Sequence, residues 1–218
     1  MQFYTSRILR GAVLIATLTM MTGAAAASTH AGAPAGSSIP QHGSFLTEGA
    51  VTRVPMGWTQ FCADYRGECD GGDLAARDVV LSQKSWADLK RVNAWVNDKV
   101  QPMTDMEHWG VVEHWDYPDD GYGDCEDYVL LKRKLLIQAG WPRQALLVTV
   151  VRDRNGDGHA VLTVKTDKGE FILDNQNQEI VAWQDTGYRF VKRQSQINQN
   201  IWVLLGEPKS APATVSAR

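Results

Sequence analysis

The sequence predicts one α+β domain in which helices come before a run of antiparallel strands. In two segments, 82–100 and 125–139, apolar residues recur every three or four positions, which is the spacing of an amphipathic helix. From residue 145 onward the spacing changes to period two, and turn residues separate short apolar segments. Helices followed by strands, rather than alternating with them, are typical of α+β folds.

The two ends of the chain differ from its centre. Residues 1–27 contain two arginines, an apolar segment and then small residues, a pattern typical of a cleaved secretory signal peptide. An uncleaved membrane anchor is the alternative. Residues 28–50 are rich in Ala, Gly, Ser and Pro and predict a flexible linker, and residues 207–218 predict a disordered tail. The folded domain is therefore expected at 51–206, with no stable membrane insertion after signal cleavage.

The charge of the chain gives no indication of a nucleic-acid partner. Lysine and arginine together number 22 against 25 acidic residues, so the formal net charge is −3. Removal of the signal peptide would take away two arginines and no acids, which makes the mature chain more acidic. Proteins that bind nucleic acids generally present a basic surface, so this class is not expected.

The first predicted helix occupies the segment 82–100. Leu89, Val92 and Val96 fall on one face of it, which predicts that this face packs against the core. Pro102 then ends the helix, because proline cannot donate the backbone hydrogen bond that a helix interior needs.

The second predicted helix occupies the segment 125–139. Gly140 and Pro142 follow it and form a strong helix-stop signal. Asp124 falls at the N-cap position, where its side chain can accept a hydrogen bond from the first turn. Cys125 is therefore expected to begin this helix.

The remainder of the chain predicts strands. Period-two alternation of apolar residues, bounded by turn residues, identifies five of them. They are 145–151, 159–165, 170–174, 188–193 and 202–205.

The position of Cys125 makes it a candidate nucleophile. Cys62 and Cys69 are close enough in sequence to close a small loop in an oxidising compartment, which leaves Cys125 unpaired. A helix start favours a thiolate through its free N–H groups and partial positive charge, whereas Asp124 and Glu126 oppose it. An imidazolium or a bound cation is therefore needed. The alternative is a buried apolar cysteine without a catalytic role.

His159 and Asp174 complete a candidate triad. His159 begins a predicted strand. A two-residue turn at 167–168 would make Asp174 the diagonal neighbour of His159 on the same face of the sheet. A three-residue turn would reverse this parity. With the turn at 167–168, Asp174 could orient the imidazole towards Cys125, which is the order of a nucleophile, a base and an orienting carboxylate.

The segment 153–164 begins like a calcium-binding EF-hand loop. Asp153, Asn155 and Asp157 occupy the first ligand positions. Position 12, where a bidentate glutamate belongs, is Val164, and no helical pattern follows. The segment therefore predicts a hairpin connection, with weak cation binding as the alternative.

Three motifs taken together resemble the bacterial transglutaminase-like cysteine proteinases. They are "GDCEDY" at 123–128, "GHAVL" at 158–162 and "LDN" at 173–175. The resemblance implies a papain/transglutaminase-like core, in which a helix with the nucleophile packs on an antiparallel sheet with the base and the acid. It implies Cys125 as nucleophile, His159 as base and Asp174 as the orienting residue.

The resemblance also implies a cofactor, a location and partners. The best-known members are periplasmic proteases that need calcium and cleave large cell-surface adhesins, which releases cells from biofilms. An inner-membrane receptor that senses cyclic di-GMP holds them in check. By position, Asp124 and Glu126 are the implied calcium ligands, and the alternative makes them an N-cap and a first-turn helix charge.

Two other functions agree with the same residues. A transglutaminase or amidase would form the same thioester and pass the acyl group to an amine instead of water. A calcium-responsive binding module would keep the fold without catalysis. Fast modification of Cys125 by iodoacetamide, slowed by His159→Ala, would distinguish an enzyme from such a module.

Overall fold

The computed structural model describes residues 39–40 and 43–206. In this part of the chain the helices are α1 (Met56–Asp64), α2 (Arg66–Cys69), α3 (Gln83–Lys99), α4 (Asp105–His108) and α5 (Cys125–Gln138). The strands are β1 (Glu48–Thr52), β2 (Gln101–Pro102), β3 (Tyr122–Gly123), β4 (Leu146–Arg152), β5 (Gly158–Thr166), β6 (Gly169–Leu173), β7 (Val181–Ala182), β8 (Arg189–Gln194) and β9 (Trp202–Leu205). The predicted signal peptide, the first part of the predicted linker and the predicted tail lie outside the described residues. Among the helices just named, none has the length and apolar character that a membrane span requires.

Seven of these strands form one antiparallel sheet. Their order is β1-β9-β8-β4-β5-β6-β7, so neighbours in sequence are mostly neighbours in the sheet. The five strands that the period-two pattern predicts correspond to β4, β5, β6, β8 and β9. β2 and β3 form a separate parallel pair. The predicted α+β class is confirmed.

The first strand corrects the predicted start of the folded domain. The composition predicts a flexible linker for 28–50, but β1 begins at Glu48 and pairs with β9. Leu46 is buried, and Gly43 N donates to Lys168 O at 2.9 Å. A Cβ at Gly43 would lie 2.6 Å from that oxygen, so this approach requires glycine. Because nearly all β1 side chains are exposed, the strand lacks the alternation that would identify it in the sequence.

Helix α3 forms as its spacing predicts. Leu89, Val92 and Val96 are buried in the core. Ser82 caps the helix by accepting a hydrogen bond from Ser85 N at 3.1 Å, and Ser85 Oγ accepts one from Ser82 N at 2.8 Å. These two bonds satisfy N–H groups that have no partner within the helix. α3 and β5 both contact α5, so α5 is held between a helix and the sheet.

A disulfide between Cys62 and Cys69 joins α1 to α2. The two cysteines are close in sequence, and their Cα atoms are 5.5 Å apart. Trp58 and Phe61 of α1 are buried in the same core as α3 and α5. Cys125 is the free cysteine of the chain.

Helix α5 also buries a lysine, which lies at the same helical spacing as its apolar residues. The Lys132 side chain is fully buried, and its Nζ has no hydrogen-bond partner among the described residues. Desolvation lowers the pKa of Lys132 to about 7, although the negative charge of Asp174 acts in the opposite direction and raises this pKa. The Tyr128 ring lies 5.8 Å from this Nζ. An ammonium group without a partner in this position destabilises the folded state.

Replacing Lys132 by methionine is expected to stabilise the fold by about 3 kcal/mol at pH 6. The pKa of this lysine is lower in the folded chain than in the unfolded chain, so stability is lost as the pH falls from about 10 to about 7. The gain should therefore be largest at and below pH 7 and shrink towards pH 10. Urea unfolding of the wild-type and variant proteins at pH 6 and at pH 10 measures this gain in stability. Lys84→Met on the exposed face of α3 is the control, and a less stable Lys132→Met variant would contradict the argument.

Candidate active site

Cys125 is the first residue of α5, as the sequence predicts. The chain enters the helix through Gly123, where a Cβ would lie 2.6 Å from Asp127 Oδ2, so the tight approach needs glycine. Asp127 Oδ2 accepts a hydrogen bond from Asp124 N at 3.2 Å, which closes the first turn. The Cys125 side chain is half-buried, and its Sγ accepts a hydrogen bond from Ala160 N at 3.4 Å. The start of the helix is thereby fixed against strand β5.

His159 lies on β5, directly before the residue that contacts the sulfur. Its Nε2 is 2.8 Å from Asp174 Oδ1, and both side chains are buried. Thr166 pairs with Gly169, so a two-residue turn joins β5 to β6 and the predicted parity is confirmed. Because Nε2 is occupied by the carboxylate, Nδ1 is the nitrogen left for Cys125. The structure therefore pairs His159 with Asp174 and places Cys125 against Ala160, the residue next to His159.

Asp174 is held as an anion by the groups around it. Burial raises the pKa of its carboxyl, but the hydrogen bond and charge of His159 and the hydrogen bonds from Tyr188 and Gln176 outweigh this effect. They keep that pKa below its usual range. Asn97 of α3 donates to the Asp174 backbone oxygen at 2.9 Å, which ties the end of β6 to the helix layer. An ionised carboxylate in this position can orient an imidazole and stabilise its protonated form.

Four carboxyl groups crowd the start of α5. Oxygens of Asp124 and Glu126, with the Cys125 sulfur, lie within 4.8 Å of one another. Oxygens of Asp105, Asp124 and Asp127 form a second such group. The sequence indicated Asp124 and Glu126 as ligands but missed Asp105 and Asp127. Asp127 could have been found in the "GDCEDY" motif, whereas Asp105 belongs to a different helix, α4.

The crowding shifts the protonation of these acids. Burial and the charge of Asp124 raise the pKa of Glu126 to about 10. Burial raises the pKa of Asp127 to about 8, with further contributions from the charges of Asp124 and Asp105. Burial and the charge of Asp124 also raise the pKa of Asp105. The cluster is therefore strained by like charges unless a cation or protons neutralise it.

The same acids act against the nucleophile. Sγ of Cys125 donates a hydrogen bond to Glu126 Oε2 at 3.0 Å. Burial and the negative charge of Glu126 raise the pKa of Cys125 well above its usual value, although the Ala160 N–H opposes this. Burial and the neighbouring acids therefore favour the thiol form of Cys125 in this arrangement. Activation of the thiol requires a partner that favours the thiolate, either an imidazolium or a bound cation.

The residues present fit a bound cation. Asp124 Oδ1 is buried and has no hydrogen-bond partner among the described residues, so it can act as a ligand without breaking a bond. The donors are carboxylate oxygens, which are the ligands that Ca²⁺ prefers. A divalent ion would also remove the repulsion that raises the pKa values of Glu126 and Asp127.

The loop that begins like an EF-hand is a hairpin connection, as predicted. It joins β4 to β5, and strands flank it on both sides. Asp153 Oδ1 accepts hydrogen bonds from Asn155 N and Asp157 N at 2.8 and 2.9 Å, so this oxygen serves the turn itself. Gly156 has a φ of 91°, which favours glycine.

Comparison with known proteins gives a family match over most of the chain. The family model described as "Bacterial transglutaminase-like cysteine proteinase" matches residues 48–210. No curated protein sequence matched.

Three solved structures of Legionella pneumophila LapG are similar, each at 24% sequence identity. The first has a TM-score of 0.46 and covers 54% of this chain and 68% of that chain. The calcium-bound structure has a TM-score of 0.48 and covers 59% and 75%. The EGTA-treated structure has a TM-score of 0.47 and covers 58% and 70%.

Proposed function

We propose that Cys125, His159 and Asp174 form the catalytic triad of this chain. The chain belongs to the bacterial transglutaminase-like cysteine proteinase family and is therefore a cysteine peptidase. One observation carries the proposal. His159 Nε2 lies 2.8 Å from Asp174 Oδ1, while the N–H of the next residue, Ala160, contacts the Cys125 sulfur at 3.4 Å. A base with one nitrogen held by a carboxylate is thus beside a thiol at a helix start.

The chemistry follows from this arrangement. His159 Nδ1 takes the proton from Cys125 Sγ, and the sulfur attacks the carbonyl carbon of the peptide bond. N–H groups of the first turn of α5 stabilise the oxyanion. His159 then gives the proton to the leaving amine, and a thioester remains. Water, deprotonated by His159, hydrolyses the thioester, which releases the new carboxyl end and restores the thiol.

Calcium is the proposed cofactor, held by Asp124 and Glu126 together with Asp105 and Asp127. When bound, it supplies the positive charge that keeps these carboxyls ionised without repulsion. If Glu126 served as a ligand, its carboxylate would no longer accept the hydrogen bond from Cys125 Sγ, and the thiol would be free to donate to His159. Peptidase activity is therefore proposed to depend on calcium.

Removal of calcium by a chelator is expected to lower kcat/KM about 100-fold, because each unit of thiol pKa changes the thiolate fraction about tenfold. Added Ca²⁺ should restore activity and raise the Tm of the protein, since an ion that binds only the folded chain stabilises it. Asp124→Asn should weaken both responses. Asp157→Asn, in the β4–β5 hairpin, is the matched control and should weaken neither. A chelated protein with unchanged activity and unchanged Tm would exclude a calcium cofactor.

The substrate of a peptidase is a protein, and we propose a cell-surface adhesin cleaved in the periplasm. The pattern at 1–27 and the Cys62–Cys69 disulfide support an oxidising compartment. The adhesin and the inner-membrane cyclic-di-GMP receptor that would regulate cleavage are proposed from the family resemblance. Sequencing the N-termini of proteins shed by cells with the wild-type or Cys125→Ala chain tests the assignment. If the proteins shed by the two kinds of cell were the same, with no adhesin shed only by wild-type cells, the assignment would be refuted.

A further inference from the structure

We infer that Tyr188 is a positioning residue of the active site: its hydroxyl fixes the rotation of the Asp174 carboxylate, which in turn aims His159. The inference rests on the proposed triad and adds a fourth side chain to it. The sequence pattern placed Tyr188 at the start of the predicted strand 188–193 but indicated no role for it in the site; in the structure it directly precedes β8.

The hydrogen bonds of Asp174 are divided between its two oxygens. Oδ1 accepts from His159 Nε2 at 2.8 Å and from Gln176 N at 3.0 Å. Oδ2 accepts from the Tyr188 hydroxyl at 2.6 Å. A carboxylate held at one oxygen can turn about its own axis, whereas one held at both oxygens cannot. Tyr188 therefore supplies the second point that defines the carboxylate plane.

Tyr188 also contacts the imidazole directly. The two rings meet edge to face, with centroids 5.7 Å apart and an angle of 84° between their planes. The Tyr188 side chain thus packs against the His159 ring and also donates a hydrogen bond to Asp174, the partner of His159. Such a contact restricts the tilt of the imidazole while the Asp174 bond restricts its rotation.

A braced turn holds Tyr188 in place. Tyr188 N donates to Thr186 Oγ1 at 3.0 Å, and that hydroxyl donates to Trp183 O at 2.8 Å. Arg154 Nε, from the β4–β5 hairpin, donates to Thr186 O at 2.9 Å. Gly187 has a φ of 74°, a conformation that favours glycine. The turn is therefore tied to the same hairpin that leads into His159.

The surroundings make Tyr188 a permanent donor. Burial, with the hydrogen bond to and the charge of Asp174, raises the pKa of the Tyr188 hydroxyl above its usual value. The hydroxyl therefore stays protonated and does not place a second anion beside the carboxylate. Tyr188 and Asp174 also line a polar cavity of about 440 Å³, which Arg154 and Gln176 border. Without the hydroxyl, water from this cavity can reach Oδ2.

Tyr188→Phe is expected to lower kcat about tenfold with KM changed less than about twofold, the effect of losing roughly one charge-assisted hydrogen bond that cavity water partly replaces. The downfield proton NMR signal of the His159 Nε2–H should broaden or move, because its acceptor is no longer fixed. In an Asp174→Asn background, Tyr188→Phe should cause no further loss of kcat. A purely structural tyrosine would lower stability without these three changes.

Tyr128→Phe is the matched control, since the Tyr128 hydroxyl also donates a hydrogen bond at 2.6 Å, but to Val100 O. It should lower stability and leave kcat and the His159 signal unchanged. Thr186→Val keeps the Tyr188 hydroxyl but loosens its turn, and should give a smaller loss of kcat in the same direction. A Tyr188→Phe protein with wild-type kcat and an unchanged His159 signal overturns the inference. The proposed triad would remain in that case, because it fails only if Cys125, His159 or Asp174 proves dispensable.

Discussion

Replacing Cys125 by serine is expected to lower kcat/KM for peptide hydrolysis by about 10⁵-fold or more. A serine hydroxyl is a far weaker acid than a thiol, so the same imidazole deprotonates it far less readily. His159→Asn should cause a loss of similar size, because the thiol then loses the base proposed to take its proton. The measurement is the rate at which the purified protein cleaves the surface protein that the shedding experiment identifies.

The two losses should not add. Residues that act as one unit lose their joint effect when either is removed, so the double variant Cys125→Ser/His159→Asn should be about as inactive as each single variant. His108→Asn is the matched histidine control. The distance between His108 Nε2 and Asp120 Oδ2 is 2.8 Å, so this histidine pairs with an acid outside the proposed triad. Residual activity above about 1% in Cys125→Ser would mean that another group is the nucleophile.

Asp174→Asn is expected to lower kcat by about 10⁴-fold while the fold persists. The carboxylate accepts a hydrogen bond from His159 Nε2, whereas the asparagine amide can donate one. Donation to Nε2 would place the remaining ring proton on Nδ1, the nitrogen proposed to take the proton of the thiol. The imidazole would then be in the wrong tautomer for a base.

Two measurements separate this effect from unfolding. The Tm of Asp174→Asn shows whether the chain is folded, and iodoacetamide labelling of Cys125 in calcium buffer shows whether the thiol is still activated. Labelling should slow in parallel with kcat. Asp185→Asn replaces an exposed aspartate with no role in the site and should behave as wild type. Wild-type labelling in Asp174→Asn would remove Asp174 from the triad.

The candidate nucleophile and the helix that bears it could be predicted because their signals are local. A helix requires apolar residues at three and four positions, an N-cap and a stop, and each signal lies within a few residues of the next. Asp124 supplies the N-cap, Cys125 begins the helical spacing and Gly140 supplies the stop. The pairing of His159 with Asp174 was also accessible, because a two-residue turn fixes the register of a hairpin.

Other features of the molecule left no readable pattern. β1 has mostly exposed side chains, and it is held to the sheet by pairing with β9 and by the ion pair of Glu48 with Arg193 at 2.7 Å. Neither contact involves residues close in sequence. The predicted linker therefore extended too far into the folded domain.

The sequence by itself determined the helix that begins at Cys125 and the strand that begins near His159, because each depends on spacing between near neighbours. The parity that aligns Asp174 was left open until the structure showed a two-residue turn between β5 and β6. Only the tertiary structure decided that Asp105 joins the acids beside the thiol and that Tyr188 holds Asp174. It also decided that Lys132 Nζ is buried without a hydrogen-bond partner among the described residues. These side chains meet across separate elements. Their proximity follows from how helices and sheet pack, and packing is set by the summed burial of many residues rather than by any short pattern.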